Sequence, residues 1–329
     1  MHALIINRRT RAGLAASALS LLGWGASLTP AAAESYPSKP LTVVVPFAAG
    51  GTVDKVARQL QQSLQDKLGQ TVVIDNRGGA GGTIGTALVA KAPADGYTVE
   101  MVFDSYATEQ HIYPRLPYST EKDLTGVSYM VRSPMVLVVA PGTPYRSLAD
   151  YVAAAKHGNV SYASVGPGSS NHLAAELFHQ TAGSSGLHTP YRGGGPAITD
   201  LLGGHVESMI ASLPLVLPHI QAGKLRALAV TAPSRVPALP QTPAVAESYP
   251  GFEIYSWVGM VAPAATPADR LDKLSQITIE ALRDPAVAQR INESGFDVVA
   301  GGREEMNALV KSESDRWGKL IKAQGIVAQ

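Results

Sequence analysis

The sequence contains no cysteine, only 16% charged and 6% aromatic residues, and no apolar run long enough to cross a membrane after its N-terminal segment. Without cysteine there are no disulfides, no thiolate metal site and no N-terminal cysteine to carry a lipid, so the core alone must hold the fold. Without ~18 or more consecutive apolar residues the mature chain is expected to diffuse freely. The charged fraction falls below the ~25% usual in globular proteins, which suits a surface that docks and undocks. The eight histidines are scattered, with no H-E-x-x-H or other tight spacing, so neither a metal site nor a cofactor is expected.

The N-terminal segment "MHALIINRRTRAGLAASALSLLGWGASLTPAAAES" reads differently from the rest. Arg8, Arg9 and Arg11 precede an apolar stretch that Gly23, Gly25, Ser27 and Pro30 interrupt, and small residues follow at Ala31 and Ala33. That order is a secretory signal over residues 1–33, cut after Ala33, rather than a membrane anchor. The Arg8-Arg9 pair leaves the general and twin-arginine export routes both open. Removing the segment takes three of the 27 Lys plus Arg and none of the 26 Asp plus Glu, which turns a formal charge of +1 into −2. No basic field for nucleic acid survives. An exported, freely diffusing protein is useful where an outer membrane retains it, which points to the periplasm.

The 329 residues, 45% of them hydrophobic, suffice for about two domains. Short β-branched runs alternate with helical periodicity, which predicts parallel strands joined by crossover helices. Strands are expected at 41–45, 71–75, 97–103, 135–139, 160–163, 208–211, 227–231 and 257–262. Helices are expected at 53–67, 83–91, 147–156, 171–181, 197–202, 267–283 and 303–323. In the first of these helices Val53, Val56, Ala57, Leu60, Leu64 and Leu68 share one face, and Gly69 supplies the stop. The best domain breaks lie around 133–144 and 254–263, which makes the middle of the chain an inserted second domain.

The joint "PFAAGGTVD" (Pro46 to Asp54) draws attention because a strand ends there and a helix begins with no lysine or arginine between them. Pro46 stops the ladder, Thr52 is expected to cap the helix, and Gly50 and Gly51 are expected to leave backbone N–H groups uncovered. A helix N-terminus carries about half a positive charge and orphan donors, so the joint can cradle an anion without a cation. Phe47 adds an apolar wall. Taken alone, an ordinary tight turn explains the joint equally well. "SVGPGSSNH" repeats the arrangement with Gly166, Gly168, Ser169 and Ser170, and "YRGGGP" places three glycines before Pro196. Three such helix starts suit a small acidic molecule held by backbone and hydroxyl donors.

Nucleotide and catalytic readings fare worse. "NRGGAGGTIG" does not spell G-x-G-x-x-G, because the sixth place after Gly79 is Ile84, and no G-x-x-x-x-G-K-[ST] occurs. Ser169, Ser170 and His172 lie close together, but there is no G-x-S-x-G elbow. His172 is better read as closing its loop by hydrogen bonding, and Asp54 and Asp200 as first-turn dipole partners, than as catalytic groups.

The segments "YPSKPLTVVVPFAAGGTVDKVARQL", "VVIDNRGGAGGTIGTALVAKAPADGYTV", "YASVGPGSSNHLAAELF", "PYRGGGPAITDLLGGHVESM", "AGKLRALAVTAPSR" and "WVGMVAP" occur in this order, and together they resemble the Bug family. These are periplasmic solute-binding receptors of tripartite tricarboxylate transporters, and the likeness spans residues 36 to 326. It implies an α/β protein of the type II periplasmic-binding-protein fold, with two domains closing on a central cleft about a hinge. Domain 1 would be discontinuous, 34–138 plus 258–329, with domain 2 at 139–257. The resemblance implies a monomer that binds a di- or tricarboxylate, an acidic amino acid or an aromatic acid, and hands it to membrane subunits. It implies no enzyme, although a ligand sensor for a membrane signalling partner or a periplasmic serine hydrolase would share parts of the pattern.

Carried over by position, the first carboxylate loop is Pro46 to Asp54, with Phe47, Ala48, Gly50, Gly51, Thr52 and Asp54. The second is Ser164 to His172, where Ser164, Gly166, Gly168, Ser169 and His172 match S-x-G-x-G-S-x-x-H. Tyr191, Arg192 and Gly193 form the tyrosine-basic-glycine element, Asp200 the acidic position after it, and Ser105 would line the cleft floor. Arg192 reads equally as a second carboxylate clamp or as a surface residue. Ala49 departs from the proline common in relatives, and Tyr106 and Glu109 stand where smaller or amide residues are common, which leaves the specificity end open.

Overall fold

A computed structural model describes residues 36–191 and 193–327; the expected signal segment lies outside them. The first part of the chain runs β1 (Leu41–Val45), α1 (Thr52–Leu68), β2 (Val72–Asn76), α2 (Thr83–Ala90), β3 (Thr98–Phe103), α3 (Glu109–Ile112) and β4 (Leu124–Val139). The middle runs α4 (Leu148–Ala155), β5 (Ser161–Ser164), α5 (Ser170–Ala182), β6 (Leu187–Pro190), α6 (Gly194–Leu202), β7 (Ser208–Ser212), α7 (Leu213–Gln221) and β8 (Arg226–Val230). It closes with β9 (Tyr255–Pro263), α8 (Ala268–Leu282), α9 (Pro285–Glu293), β10 (Asp297–Gly301) and α10 (Arg303–Gln324).

The expected crossover units are present at both ends of the sheet, where β1 pairs in parallel with β2 and β3, and β5 with β6 and β7. The centre differs from the expectation of parallel strands: β3, β9 and β4 pair antiparallel. β4 explains why. Its sixteen residues pair with β9 and β10 up to Pro134, and from Met135 onward with β7 and β8, so one strand serves two sheets. Pro134 carries no ladder N–H at the switch. Thr231 pins the same place, its hydroxyl receiving the Met135 N–H at 2.8 Å and donating to the Ile254 carbonyl at 2.6 Å.

Helices cover both faces of each half. α1, α8 and α9 pack Val56, Leu60, Leu64, Leu274, Leu282 and Ile291 against β1, β3 and β4. The stripe predicted for α1 is buried, and Gly69 ends the helix in the left-handed conformation at φ 65°. In the second half α4 and α5 bury Tyr151, Leu173 and Phe178 on one face, and α6 and α7 bury Ile198, Leu201 and Val216 on the other. α10 joins the halves: Met306 packs with β3 and β9 of the first, while Trp317, Leu320 and Ile321 enter the core of the second. No helix among the described residues is long and apolar enough to cross a membrane.

Candidate functional site

The loop between β1 and α1 is organised by a carboxylate. Asp54 is 1% exposed, and its side chain receives Gly50 N–H at 2.8 Å, Arg58 Nε at 2.9 Å and Asn76 Nδ2 at 3.0 Å. Burial pushes this carboxyl up, but the bonds from Arg58, Gly50 and Asn76 together outweigh it and hold the group below its ordinary value. Two expectations need correction. The residue before the helix is Gly51 and makes no side-chain cap, so Thr52 is the first helical residue rather than the cap. Gly50 and Gly51 are not free donors, because Asp54 takes the first N–H and the Ala48 carbonyl the second, at 3.1 Å. Asp54 turns its bonds into the loop and holds its shape. The donors left to a ligand are the first-turn N–H groups of Thr52 and Val53, which have no partner inside a helix.

The loop between β5 and α5 reaches a similar shape with neutral side chains. Ser169 caps α5, accepting the His172 N–H at 3.4 Å while its hydroxyl donates to the Gly166 carbonyl at 2.7 Å. Ser170, expected as a second cap, is the first helical residue. His172 Nδ1 accepts the Gly168 N–H at 3.0 Å, the loop closure expected of it. Its ring stacks on His188 at 3.8 Å between centroids, and His188 Nε2 lies 2.6 Å from Ser164 Oγ. Neither His172 nitrogen is bonded to a serine, since Nε2 faces Glu176 at 3.7 Å, so Ser169, Ser170 and His172 form no nucleophile and base pair.

Tyr191 lies beside this second loop: its N–H donates to the Ser164 carbonyl at 2.9 Å, and burial followed by the charge of Asp200 pushes its phenol up. Gly193 precedes α6 at φ 109°, and Arg192 lies outside the described residues. Ser105 is half-buried in a 3-10 turn over Asp104–Ala107, its carbonyl receiving the Thr108 N–H and hydroxyl at 2.9 and 2.8 Å.

Two components are only partly visible in the sequence. The glycine run after β2, read there only as a failed nucleotide motif, lies against the first loop. A Cβ on Gly85 would sit 2.7 Å from Pro46 Cβ, and one on Gly78 would sit 3.3 Å from the Ala48 nitrogen. The other is the segment Asp104 to Ile112, of which the sequence singles out only Ser105, Tyr106 and Glu109; it approaches the glycine run on one side and the second loop on the other. Glu109 Oε1 and Phe47 border Gly82 on one side, while on the other Ile112 packs so closely over Gly168, at φ +73°, that no Cβ fits. Asp104, 7% exposed, accepts the Ser256 hydroxyl of β9 at 2.7 Å.

Beneath the first loop lie two sealed acids. Burial pushes Glu109 up to about 8 despite the Tyr118 hydroxyl donating at 2.6 Å, and burial followed by Glu109 pushes Glu100 well above its usual range. The Thr86 hydroxyl lies 2.9 Å from Glu100, 3.4 Å from Glu109 and 3.2 Å from the Gly82 carbonyl. One hydroxyl hydrogen cannot serve three acceptors, and with burial raising both carboxyls this favours a proton retained in the cluster. Among the described residues no three His, Cys, Asp or Glu side chains gather as a metal site.

Residues 56–326 match the family described as the tripartite tricarboxylate transporter family receptor. Protein BugT of Bordetella pertussis is 38% identical over 301 residues, covering 90% of this chain and 92% of its own. A solved R. palustris protein with adipate superposes at a TM-score of 0.82 with 35% identity, covering 88% of this chain and 99% of that one. MatC from Rhodopseudomonas palustris, with bound malate, superposes at 0.79 with 30% identity, covering 87% and 100%. These neighbours share the two-domain periplasmic-binding-protein fold, and they are receptors rather than enzymes. The chain belongs to the tripartite tricarboxylate transporter receptor family, the Bug proteins.

Proposed function

We propose that the chain is a periplasmic receptor that binds a small carboxylate between the loops opening α1 and α5 and delivers it to the membrane subunits of a tripartite transporter. The observation that carries this reading is the pair of helix first turns, Thr52–Val53 and Ser170–Asn171, whose N–H groups have no partner inside a helix. Neither 46–54 nor 164–172 contains a lysine or arginine. Backbone donors at a helix start suit a carboxylate, and a ligand touching both loops favours closure by as much as it prefers the closed form. The adipate and malate held by the two relatives make linear dicarboxylates the first ligands to test. The domains proposed are 34–138 plus 258–329 and 139–257, moving as monomeric lobes about the segments near Pro134 and Tyr255.

A thermal-shift screen of the purified protein against malate, adipate and other carboxylates tests the reading. A true ligand raises the melting temperature with concentration, by the equivalent of about 2.7 kcal/mol at a hundredfold excess over Kd. If no carboxylate shifts the transition while an uncharged or cationic solute does, the reading is wrong.

A further inference from the structure

We propose that His188, on the edge strand β6, is a positioning residue for the carboxylate site: its one ring braces both ends of the second loop, by a hydrogen bond to Ser164 where the loop starts and by a stack against His172 where it ends. The inference rests on the reading of that loop as one of two carboxylate-binding loops. β5 and β6 run parallel with Tyr162 opposite His188 and Ser164 opposite Pro190, so the imidazole reaches diagonally across to the end of the neighbouring strand. Its Nε2 lies 2.6 Å from Ser164 Oγ. Either tautomer makes this bond, because a serine hydroxyl can give or take the hydrogen.

From Ser164 the hold passes along the loop. Ser164 is 0% exposed, and its hydroxyl accepts the Gly166 N–H at 3.2 Å and lies 3.1 Å from the Gly166 carbonyl. That carbonyl also receives the Ser169 hydroxyl at 2.7 Å and the Ser169 N–H at 3.2 Å, and Ser169 caps α5. Gly166 sits at φ +140°, where glycine moves freely, so bonds at both its N–H and its carbonyl are what hold it in one conformation.

The second arm is the stack. The His188 and His172 rings lie 3.8 Å apart between centroids and 9° from parallel, and Tyr162 stacks on His188 at 5.1 Å. His172 Nδ1 accepts the Gly168 N–H at 3.0 Å, so a neutral ring keeps its own hydrogen on Nε2, toward Glu176 at 3.7 Å. Contact with the His188 face fixes the plane of the His172 ring and with it the direction of the Gly168 bond. Neither arm uses the Ser170 and Asn171 N–H groups offered to a ligand. His188 therefore acts on affinity only through where it places them.

Amide exchange measured by NMR in the ligand-free protein separates the two arms. His188→Ala removes both and should speed Gly166 and Gly168 exchange by about fivefold or more, the scale of one lost neutral hydrogen bond, while Gly50 of the first loop keeps its rate. Ser164→Ala cuts the first arm and should speed Gly166 alone. His188→Gln returns a donor and an acceptor near the Nε2 position without a ring, so Gly166 should recover while Gly168 stays fast. In calorimetry with malate, affinity should fall about fivefold in His188→Ala and recover in part in His188→Gln. Should His188→Ala not fold, Ser164→Ala and His188→Gln decide. Exchange like wild type in the variants, Gly166 and Gly168 responding together in every one of them, or malate affinity unmoved by His188→Ala would overturn the proposal. Exchange involves no ligand, so if no carboxylate binds, the reading of the site fails while the exchange pattern still decides the brace; if malate binds and exchange is unaltered, the brace fails and the reading stands.

Discussion

The loops opening α1 and α5 start a helix in the same way but are held by opposite chemistry. The first folds around an ionised carboxylate, with Asp54 collecting Gly50, Arg58 and Asn76; the second folds around Ser164, Ser169, His172 and His188, which carry no fixed charge. The difference shows what each loop can offer a ligand. At the first, the protein's own carboxylate occupies a backbone donor that an incoming anion would otherwise use. At the second, the stabilising bonds run to the Gly166 carbonyl, the Gly168 N–H and the His172 N–H, which leaves the Ser170 and Asn171 N–H groups of the α5 first turn open.

The comparison is broken most severely at Asp54. Asp54→Ala removes an acceptor that is almost fully buried and strands the Gly50 N–H and one hydrogen of the Asn76 amide, whose other bond to the Phe47 carbonyl remains. Hydrogen bonds to a charged group contribute about 1.5–3 kcal/mol each, but Arg58 is half exposed and finds water instead, so the expected cost is about 3 kcal/mol. Urea unfolding at pH 7 measures it. A loss no larger than that of a capping mutant would mean that the carboxylate does not organise the first loop.

Caps provide the next contrast. Ser169→Ala deletes a formed cap and should cost about 1 kcal/mol of stability and weaken carboxylate binding about fivefold. Thr52→Ala alters a first-turn residue whose side chain caps nothing, so its cost should stay within about 0.5 kcal/mol. Equal losses in parallel unfolding and calorimetry experiments would contradict the asymmetry.

How much of this is visible in sequence depends on how far apart the partners lie. The α1 stripe and the Ser169 cap are local, so periodicity and residue type reveal them. Thr52 misleads because a threonine after two glycines can cap or simply begin a helix, and the decision falls to Asp54 binding the Gly50 N–H. The first part of β4 is hidden because Gly126, Ser128, Arg132 and Pro134 interrupt its β-branched pattern, although the strand is central and carries bulges against β9. Pro214 and Pro218 disguise α7, and four-residue β6 sits at the sheet edge with Leu187 70% exposed. The seam at Asp104 could not be read at all, because its partner Ser256 lies 152 residues away.

The smallest expected effect separates the loops by pH. Burial, and then the stacked His172, push His188 down to about 4, against Glu176, which favours its charged form. In the unfolded chain His188 returns to about 6.5, so the stability gained by keeping it neutral is present at pH 7 and lost progressively as pH falls from about 6.5 to about 4. Asp54 runs the other way: its folded value lies below the unfolded one, so its contribution persists until pH drops beneath the ordinary carboxylate range. Unfolding wild type, Asp54→Ala and His188→Gln at pH 7 and pH 5 isolates the two terms, because groups common to all three proteins cancel. The gap between wild type and Asp54→Ala should be unchanged at pH 5, whereas that between wild type and His188→Gln should have narrowed. If both gaps follow the same pH course, the loops are not held by the different chemistries argued here, and the neutral bond between His188 and Ser164 is not what keeps the second one in place.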